Sequence, residues 1–397
     1  MPESVVHGSP QPQDERATKA VEAADAFARR ILVYRIGSIG DTIIALPAVH
    51  AIRQHFPNAY MAFLGNSHEK GHVLAQGVLP SDGLLDEWLT YPTGLGRTRL
   101  SVAIMRLFFY LRRSKFDTLV YLAPRARTPM SVRRDLSFFY GAGIRHFIGH
   151  PGRELMPVKI AGEPQQMVLH EADHLLHCLK ASGIPVPPDG QGNMDLRITA
   201  GERAQAREWL LEHCGEGVAK NRLIGFGVGS NWQSKVWPEE KYAELGERLI
   251  KELDVYPLLI GGPHDVASHE RLIARWGRGA NAAGKLQVRQ AAAALSTCRF
   301  YVGNDTGTGH LAAAVGTPCV GVYSAVDWPG RWDPYGEGHI ILRSDVPCSA
   351  CGLRVCDKDL ICLKRIEVDD VFDACRRLMM DAPGELKQVE LSASREI

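Results

Sequence analysis

The residues of this chain that are best suited to chemistry lie in residues 301–318, where a short apolar strand leads through a glycine turn into an apolar helix. The turn, residues 304–310, reads Asn-Asp-Thr-Gly-Thr-Gly-His. Asp305 and Thr306 are residue types that cap helices, so the first N–H groups of the helix are expected to point at one spot. Such a helix end, with glycines that admit a ligand closely, binds anions such as phosphate. The alternative is a strand–turn–helix corner without a ligand.

Two more polar glycine turns follow apolar strands. The Asp41 turn, residues 36–41, follows an apolar run that starts at Ile31, and the Lys235 turn, residues 227–238, follows a run that starts at Leu223. Each turn leads into a predicted helix, and open α/β sheets bind ligands at the carboxyl ends of their strands. The Asp41 turn is not G-x-G-x-x-G, which disfavours a plain dinucleotide-binding dehydrogenase.

Strand-length apolar runs alternate with helical patterns along most of the chain. Such alternation implies parallel sheets, so the chain is assigned to the α/β class, with two Rossmann-like domains facing each other across a cleft. The predicted strands are 31–35, 60–64, 118–122, 146–148, 223–226, 256–260, 299–302 and 318–323. The predicted helices include 42–56, 100–113, 130–140, 201–213, 239–251, 267–276, 288–295 and 368–381.

Length and composition limit the class of protein. A chain of 397 residues is expected to form two domains, and 45% hydrophobic with 23% charged residues is typical of a soluble globular protein. No stretch approaches the ~20 apolar residues of a membrane span, and no signal-peptide pattern is present. Nine cysteines without an export signal indicate a reducing compartment. We therefore expect a cytoplasmic protein with no transmembrane segment.

The net charge of +1 hides a strongly basic region. Between Arg97 and Lys159 there are thirteen lysines and arginines against three acidic residues. A surface of this sign favours an anionic partner, such as a phosphorylated glycolipid, a membrane surface or a nucleic acid. The helix at 104–113 mixes bulky apolar residues with arginines and is suited either to a membrane surface or to a core with a solvated edge. The alternative for the whole region is a set of basic residues spread over solvated helix faces.

Four segments together resemble the ADP-heptose:lipopolysaccharide heptosyltransferases of glycosyltransferase family nine, in the family's order and at similar separations. They are residues 35–47 (Arg-Ile-Gly-Ser-Ile-Gly-Asp-Thr-Ile-Ile-Ala-Leu-Pro), 235–238 (Lys-Val-Trp-Pro), 261–263 (Gly-Gly-Pro) and the turn at 304–310. The similarity covers residues 31–66 and 222–375. It implies a GT-B fold, with the acceptor bound mainly by the first domain and the nucleotide-sugar by the second. It also implies inverting transfer that requires no metal or other cofactor for catalysis.

The resemblance assigns the two catalytic roles. Inverting glycosyl transfer needs a base that takes the proton of the acceptor hydroxyl, and positive charge that stabilises the departing diphosphate. Asp41 stands where the family has its base; the alternative role for this residue is a helix cap. Lys235 is suited to the diphosphate as a mobile point charge; the alternative is an exposed loop lysine.

The predicted donor site draws on both domains. By the resemblance, Asp305 would hold sugar hydroxyls and His310 would lie near the phosphates. Asp265 follows the Gly-Gly-Pro segment and is suited either to a ribose diol or to capping a surface helix. The other predicted donor-binding residues are Ser38 and Ser230 as hydroxyl donors, Thr306 and Gly307 through backbone N–H groups, and Gly40 and Lys235.

Four cysteines form a compact cluster with the spacing C-x2-C-x4-C-x5-C, and they are Cys348, Cys351, Cys356 and Cys362. Four thiols in fifteen residues suit a tetrahedral zinc or iron site of structural role. A cysteine-rich segment also occurs in the family, and some members that modify bacterial autotransporters bind iron there. The spacing is not that of two C-x2-C pairs, so reduced structural thiols are the alternative.

The domain boundaries are predicted from the same patterns. The GT-B resemblance implies that the final helix crosses back to the first domain. The predicted units are a flexible tail (1–28), an acceptor-side domain (29–195), a nucleotide-sugar domain (196–365, with the cysteine segment 348–362), the crossing helix (366–382) and a loose tail (383–397).

Three functional hypotheses follow. The first is a glycosyltransferase, peripheral on the inner membrane, that moves heptose from ADP-heptose to a phosphorylated lipopolysaccharide core. The second keeps the GT-B fold but uses another nucleotide-sugar, or a protein or other glycan acceptor. The third is a non-enzymatic protein that binds a nucleotide-sugar or a nucleic acid. The intact base and phosphate positions oppose the third, and aromatic residues are not interleaved with basic ones as in nucleic-acid binders.

Overall fold

Two parallel sheets, each flanked by helices, form the architecture. The computed structural model describes residues 30–66, 75–80, 82–92, 94–150, 153–154, 156–159, 165–215, 222–380 and 389–392, the last of these by backbone alone. The predicted flexible tail at 1–28 lies outside the described residues.

The first sheet has five strands in the order β3-β2-β1-β4-β5, all parallel. Its central strands are short and buried, as expected for a sheet covered on both faces. The strands are β1 Arg30–Tyr34, β2 Tyr60–Asn66, β3 Glu87–Tyr91, β4 Thr118–Tyr121 and β5 His146–Ile148. The helices are α1 Ile39–Ile44, α2 Leu46–His55, α3 Arg97–Ser114, α4 Pro129–Gly141 and α5 Glu171–Lys180.

The second sheet has seven parallel strands in the order β12-β11-β10-β9-β6-β7-β8. The strands are β6 Leu223–Gly227, β7 Tyr256–Leu259, β8 Ala280–Asn281, β9 Tyr301–Asn304, β10 Cys319–Tyr323, β11 Ile340–Arg343 and β12 Val389–Ser392. The helices are α6 Ala200–Cys214, α7 Glu239–Leu253, α8 Val266–Trp276, α9 Val288–Leu295, α10 Gly307–Ala314, α11 Ile361–Lys364 and α12 Val368–Met380. The chain passes from the first sheet to the second between α5 and α6.

The strand order of each sheet reverses at one point. In the first sheet the reversal lies between β1 and β4, and in the second between β6 and β9. Loops on either side of such a point diverge and leave a crevice at the carboxyl ends of the strands. The Asp41 turn follows β1, the Lys235 turn follows β6, and residues 304–310 follow β9. The topology therefore brings all three glycine turns to the two crevices.

Most predicted elements are present, with small shifts of their ends. The predicted helix 42–56 is two helices, α1 and α2, that meet at Ala45. Several elements have no counterpart in the prediction, namely β3, β8, β11, α5 and α11. β8 has only two residues, and β3 is half-exposed, so neither carries the long apolar run that identifies a buried strand.

The C-terminal region differs from the prediction. Helix α12 packs against α7, β10 and β11, and its buried residues, among them Val371 and Phe372, belong to the core of the second domain. The expectation that this helix crosses back to the first domain is therefore wrong, because its apolar face is already filled by the second sheet. Residues 389–392, expected to be part of a loose tail, form β12 at the edge of that sheet.

The two domains share an apolar core. One buried cluster includes Leu46 of α2, Leu196 of the connection between the domains and Ala292 of α9. Backbone hydrogen bonds also cross between the domains, since the N–H of Glu171 donates to the carbonyl of Arg331 over 3.0 Å. Burial of apolar surface is the main stabilising term in protein association, so this interface holds the two crevices face to face. Among the described residues, no helix has the length and apolar character needed to cross a membrane.

Candidate active site

The Asp41 turn holds its carboxylate by three donors. The backbone N–H and the hydroxyl of Ser38 donate to Asp41 Oδ2 over 2.7 and 2.9 Å, and Arg35 Nη2 lies 3.2 Å from Oδ1. Ser38 is also the N-cap residue of α1, and Asp41 is the third residue of that helix. By accepting the N–H of Ser38, Asp41 completes a capping box and helps to cap the helix. The Asp41 side chain remains 20% exposed, which leaves room for a further partner. The capping role and a role as base are therefore compatible.

Two residues that the sequence reading did not single out fix this turn. Arg35 is buried and donates to the carbonyl of Leu122 over 2.7 Å, so it joins the ends of β1 and β4. Asn66, at the end of β2, exchanges two hydrogen bonds with the backbone of Gly37. The position of both residues at the carboxyl end of an apolar strand was the available signal. Both restrict the conformation of the turn that carries Asp41.

Lys235 and Asp305 form an ion pair at the second crevice. Lys235 Nζ lies 2.5 Å from Asp305 Oδ2, and the side chains are 14% and 9% exposed. The Lys235 ammonium also lies over the ring of Trp232, 5.1 Å from its centroid. Lys235 is therefore not an exposed loop lysine, which was the alternative role considered for it. The ion pair holds its side chain at the start of the turn at 304–310.

The N-terminal end of α10 lies beside that ion pair. Thr306 is the N-cap residue and Gly307 the first residue of the helix, so their N–H groups and that of Thr308 have no partner within the helix. The Thr308 hydroxyl lies 2.8 Å from the hydroxyls of Thr306 and Tyr301. This hydroxyl chain orients the helix end. The arrangement is that of an anion site built from backbone donors and one cation.

Glycines allow the two domains to meet at this point. A methyl group at position 40 would lie 2.7 Å from His310 Cδ2, and one at position 307 would lie 3.2 Å from Ile39 Cβ. Helices α1 and α10 accordingly pack against each other through their N-terminal ends. The Asp41 turn of the first domain and the Asp305 region of the second therefore form one site.

His310 is buried between these groups. Its Nε2 lies 4.0 Å from Asp305 Oδ1, and its Nδ1 is buried without a hydrogen-bond partner among the described residues. Burial lowers the pKa of His310 to about 4, although the nearby Asp305 carboxylate opposes this shift. The imidazole is therefore neutral at pH 7, and it offers a neutral hydrogen-bonding group at the site.

The remaining predicted residues line the same crevice. Ser230 lies in the Lys235 turn, and its hydroxyl accepts the N–H of Trp232 over 3.2 Å. Asp265 accepts the N–H of Gly262 over 2.8 Å, and a side chain at Gly229 would overlap its carboxylate. Asp265 thus caps the turn that starts at Gly262, and its carboxylate also reaches the Lys235 turn. Its position therefore agrees both with a capping role and with a place beside a ribose diol.

Asn304 is another residue of the candidate site to which sequence reasoning gave no role. It is buried, its amide donates to the carbonyl of Val228 over 2.8 Å, and its oxygen accepts from the N–H of Trp237 over 3.1 Å. Asn304 therefore ties the end of β9 to both ends of the Lys235 turn. Its place at the head of the glycine turn was the only signal, and a single residue type does not identify a distant partner.

A buried charge cluster lies behind Asp41. The Glu171 carboxylate accepts from Arg331 Nε of the second domain over 3.0 Å and from the N–H of Arg125 over 2.8 Å. Burial would raise the pKa of Glu171, but the guanidinium groups of Arg331 and Arg35 outweigh it and lower the pKa to about 2. Glu171 is thus ionised, and it links the charges of the two domains behind the site.

The four clustered cysteines line one small cavity of about 20 Å³. Cys351 is exposed and Cys362 is buried, while Cys356 Sγ accepts two backbone N–H groups over 3.3 Å. Among the described residues, no group of three or more histidine, cysteine or acidic side chains is arranged to hold a metal ion. The structure therefore gives no support to the predicted zinc or iron site at Cys348, Cys351, Cys356 and Cys362.

The sequence of this chain is similar to a known protein family and to two of its characterised members. The family model of glycosyltransferase family 9 (heptosyltransferase) matches residues 158–361, just over half of the chain. The chain is 33% identical over 144 residues to lipopolysaccharide heptosyltransferase 1 of Pseudomonas aeruginosa, a match covering 34% of the chain and 40% of that protein. It is 36% identical over 109 residues to lipopolysaccharide heptosyltransferase 2 of Salmonella typhimurium, covering 25% and 30%. The chain thus spans well under half the length of these two relatives.

Solved structures agree on the fold over a longer range. A glycosyl transferase of family 9 from Veillonella parvula aligns with a TM-score of 0.70 and 21% identity, over 89% of this chain and 98% of that one. The E. coli heptosyltransferase WaaC with ADP aligns with a TM-score of 0.60 and 19% identity, over 88% and 99%. The two parallel-sheet domains therefore have the GT-B fold that the sequence predicted.

Proposed function

The chain belongs to glycosyltransferase family 9, and on this basis we propose that it transfers heptose from ADP-heptose to a phosphorylated lipopolysaccharide core acceptor. The names of the partial relatives, which are lipopolysaccharide heptosyltransferases, support the sugar and the acceptor class. The structure of WaaC with ADP supports the nucleotide by analogy. A related transferase that uses another nucleotide-sugar, or a protein or other glycan acceptor, is the competing proposal.

One observation carries the proposal. Gly40, in the first turn of α1, lies against Gly307 and His310 of α10. This contact places a carboxylate turn of one domain next to an ion-paired lysine and a helix N-terminus of the other. A base and a diphosphate site on opposite walls are what a transfer between an acceptor and a nucleotide-sugar requires.

In this proposal Asp41 is the base. Its carboxylate takes the proton of the acceptor hydroxyl as the hydroxyl oxygen forms a bond to C1 of the heptose. The bond between C1 and the phosphate oxygen breaks on the opposite side, so the configuration inverts and ADP leaves. Ser38 and Arg35 orient the carboxylate by hydrogen bonding.

Positive charge at the second crevice stabilises the departing ADP. Lys235 supplies the cation, and the backbone N–H groups of Thr306 and Gly307 supply preorganised dipoles. Asp305 holds sugar hydroxyls in this proposal, so the Lys235–Asp305 ion pair lies where the sugar meets the diphosphate. These groups require no metal ion, and we propose metal-independent catalysis.

Replacement of Asp41 by asparagine tests the base. Asparagine retains an oxygen that caps α1 but cannot take a proton, so we expect kcat for heptose transfer to fall by about 10²–10⁴-fold. The affinity for ADP should stay within about threefold, because the diphosphate contacts lie on the second domain. Transfer close to the wild-type rate would remove Asp41 from the role of base.

Nucleotide selectivity distinguishes the two donor proposals. Thermal shifts measured with ADP, UDP and GDP at equal concentration should be largest for ADP, since ligand binding to the folded state raises its stability. A larger shift with UDP or GDP would favour the competing proposal of a different nucleotide-sugar.

A further inference from the structure

Helix α3 presents an apolar ridge to solvent on the first domain. Val102, Met105 and Phe109 are 48%, 55% and 57% exposed. Their spacing of three and four residues puts them on one face of the helix. Only Leu107 and Leu111 of this helix are buried. Clustered exposed side chains of this size mark an interaction surface.

Arginines flank the apolar ridge. Arg106 is four residues after Val102 and three before Phe109, and Arg113 is four residues after Phe109, so both lie beside the ridge. Both arginines are exposed. None of the eighteen residues of α3 is acidic, while five are arginine. The surface of α3 therefore combines large apolar side chains with positive charges and has no negative charge of its own.

The neighbouring helix α4 extends this surface. The rings of Phe108 and Phe138 pack with centroids 5.7 Å apart, which fixes α4 beside α3. On α4, Met130 is 82% exposed and Arg133 is also exposed. Asp135, the acidic residue of α4, is buried and paired with arginines. The two helices thus form the α3–α4 face, an exposed surface with apolar and basic side chains.

The position of α3 connects this face with the cleft. The helix leads from the carboxyl end of β3 to the amino end of β4, which runs parallel to β3 within the sheet. Its N-terminus, at Arg97, therefore lies on the side of the sheet where the strands have their carboxyl ends, which is also the side of the Asp41 turn. A molecule held at the α3–α4 face approaches the cleft from the side of the first domain.

We propose that the α3–α4 face docks on an anionic lipid bilayer. Arginine guanidinium groups bind phosphate, and an apolar ridge between them enters the boundary between headgroups and acyl chains. Met, aromatic residues and Arg are also enriched at protein interfaces, so coverage by a second copy of the chain is the outcome that the test separates from lipid docking. The use of such a face rests on the proposed function, whose acceptor is membrane-anchored, but docking itself requires no sugar transfer.

Sedimentation with lipid vesicles tests the docking. The full chain is mixed with vesicles of phosphatidylcholine alone, or of phosphatidylcholine with phosphatidylglycerol, at physiological salt. We expect binding to the anionic vesicles only, and an approximately tenfold weaker partition for Met105→Ser/Phe109→Ser and for Arg106→Glu/Arg113→Glu. The matched control, Arg207→Glu/Leu211→Ser, changes an exposed arginine and leucine on α6 and should bind like the wild type.

A thermal shift with ADP on every variant reports folding and the donor site independently of lipid, so failure of docking and failure of the proposed function are distinguishable. The inference is overturned by a wild type that does not bind anionic vesicles, or by α3 variants that bind as the wild type does. It is also overturned if light scattering shows a wild-type dimer that Met105→Ser/Phe109→Ser converts to a monomer, because a second copy would then cover the face.

Discussion

At the scale of single residues, the ion pair between Lys235 and Asp305 sets the charge of the donor crevice. A lysine that meets a diphosphate in the proposed mechanism is paired with a carboxylate 2.5 Å away. The diphosphate must therefore share or displace that carboxylate. A sugar whose hydroxyls donate hydrogen bonds to Asp305 would loosen the pair and release the lysine toward the phosphates.

Two substitutions separate the roles of this pair. Lys235→Met removes the cation, and we expect the Kd for ADP to rise about ten- to hundredfold, since a hydrogen bond to a charged group is worth about 1.5–3 kcal/mol. Asp305→Asn removes the competing carboxylate, so ADP should bind about two- to tenfold more tightly while heptose transfer falls. Calorimetric titration measures both, with Lys285→Met as the control at an exposed lysine of the second domain. Weaker ADP binding by Asp305→Asn would contradict this division of roles.

At the scale of elements, the N-terminal ends of α1 and α10 form the contact on which the site depends. Gly40 is the second residue of α1, and the ring of His310 fills the space where a side chain would stand. Local propensity favours alanine over glycine inside a helix by about 1 kcal/mol. The glycine is therefore explained by the opposing domain and not by its own helix.

Gly40→Ala tests this contact against a matched position. The added methyl would lie 2.7 Å from His310 Cδ2, so we expect the helix ends to move apart and kcat for transfer to fall more than about tenfold. Gly201 is also the second residue of a helix, α6, and a methyl there would meet only Thr199 Oγ1 at 3.9 Å. Gly201→Ala should keep wild-type activity. Equal activity of the two variants would show that α1 and α10 need not be this close.

At the scale of the whole molecule, buried histidines make the stability depend on pH. Burial lowers the pKa of His174 to about 3, and that of His310 and His339 to about 4. Below about pH 6.5 these histidines take up protons in the unfolded chain but not in the folded one. Stability is therefore lost as the pH falls through this window. Glu171 affects the stability at a lower pH than the histidines do, because its stabilising contribution is lost only as the pH falls from about 4.5 toward 2.

Urea unfolding at pH 7.5 and pH 5.5 measures this effect. The free energy of unfolding should be lower at pH 5.5, with a limiting slope of about 1.4 kcal/mol per pH unit for each such histidine. His174→Gln should reduce the difference between the two pH values, whereas His264→Gln, at an exposed histidine, should not. A stability that is equal at both pH values would show that the histidines are accessible to protons in the folded state.

Much of this molecule follows from local pattern. Buried parallel strands need continuous apolar runs, and ligand turns need glycine, so the runs at Ile31, Leu223 and Tyr301 predicted the central strands and the turns that follow them. The α/β class follows from that alternation of strands and helices, and the resemblance of four short motifs predicted the family and its GT-B fold, both of which are confirmed. These features are readable because each one depends on residues close together in the chain.

The rest depends on contacts between distant residues, which only the tertiary structure decided. Lys235 meets Asp305 across 70 residues, and Glu171 meets Arg331 across 160. The amphipathic pattern of α12 identified a helix but not the sheet that covers it, so its assignment to the first domain was wrong. The spacing of the cysteines likewise shows their proximity in sequence, and only the structure shows that they line one cavity without, among the described residues, an arrangement of side chains that could hold a metal ion. Residue types and periodicity determine which groups are present, and packing decides which of them meet.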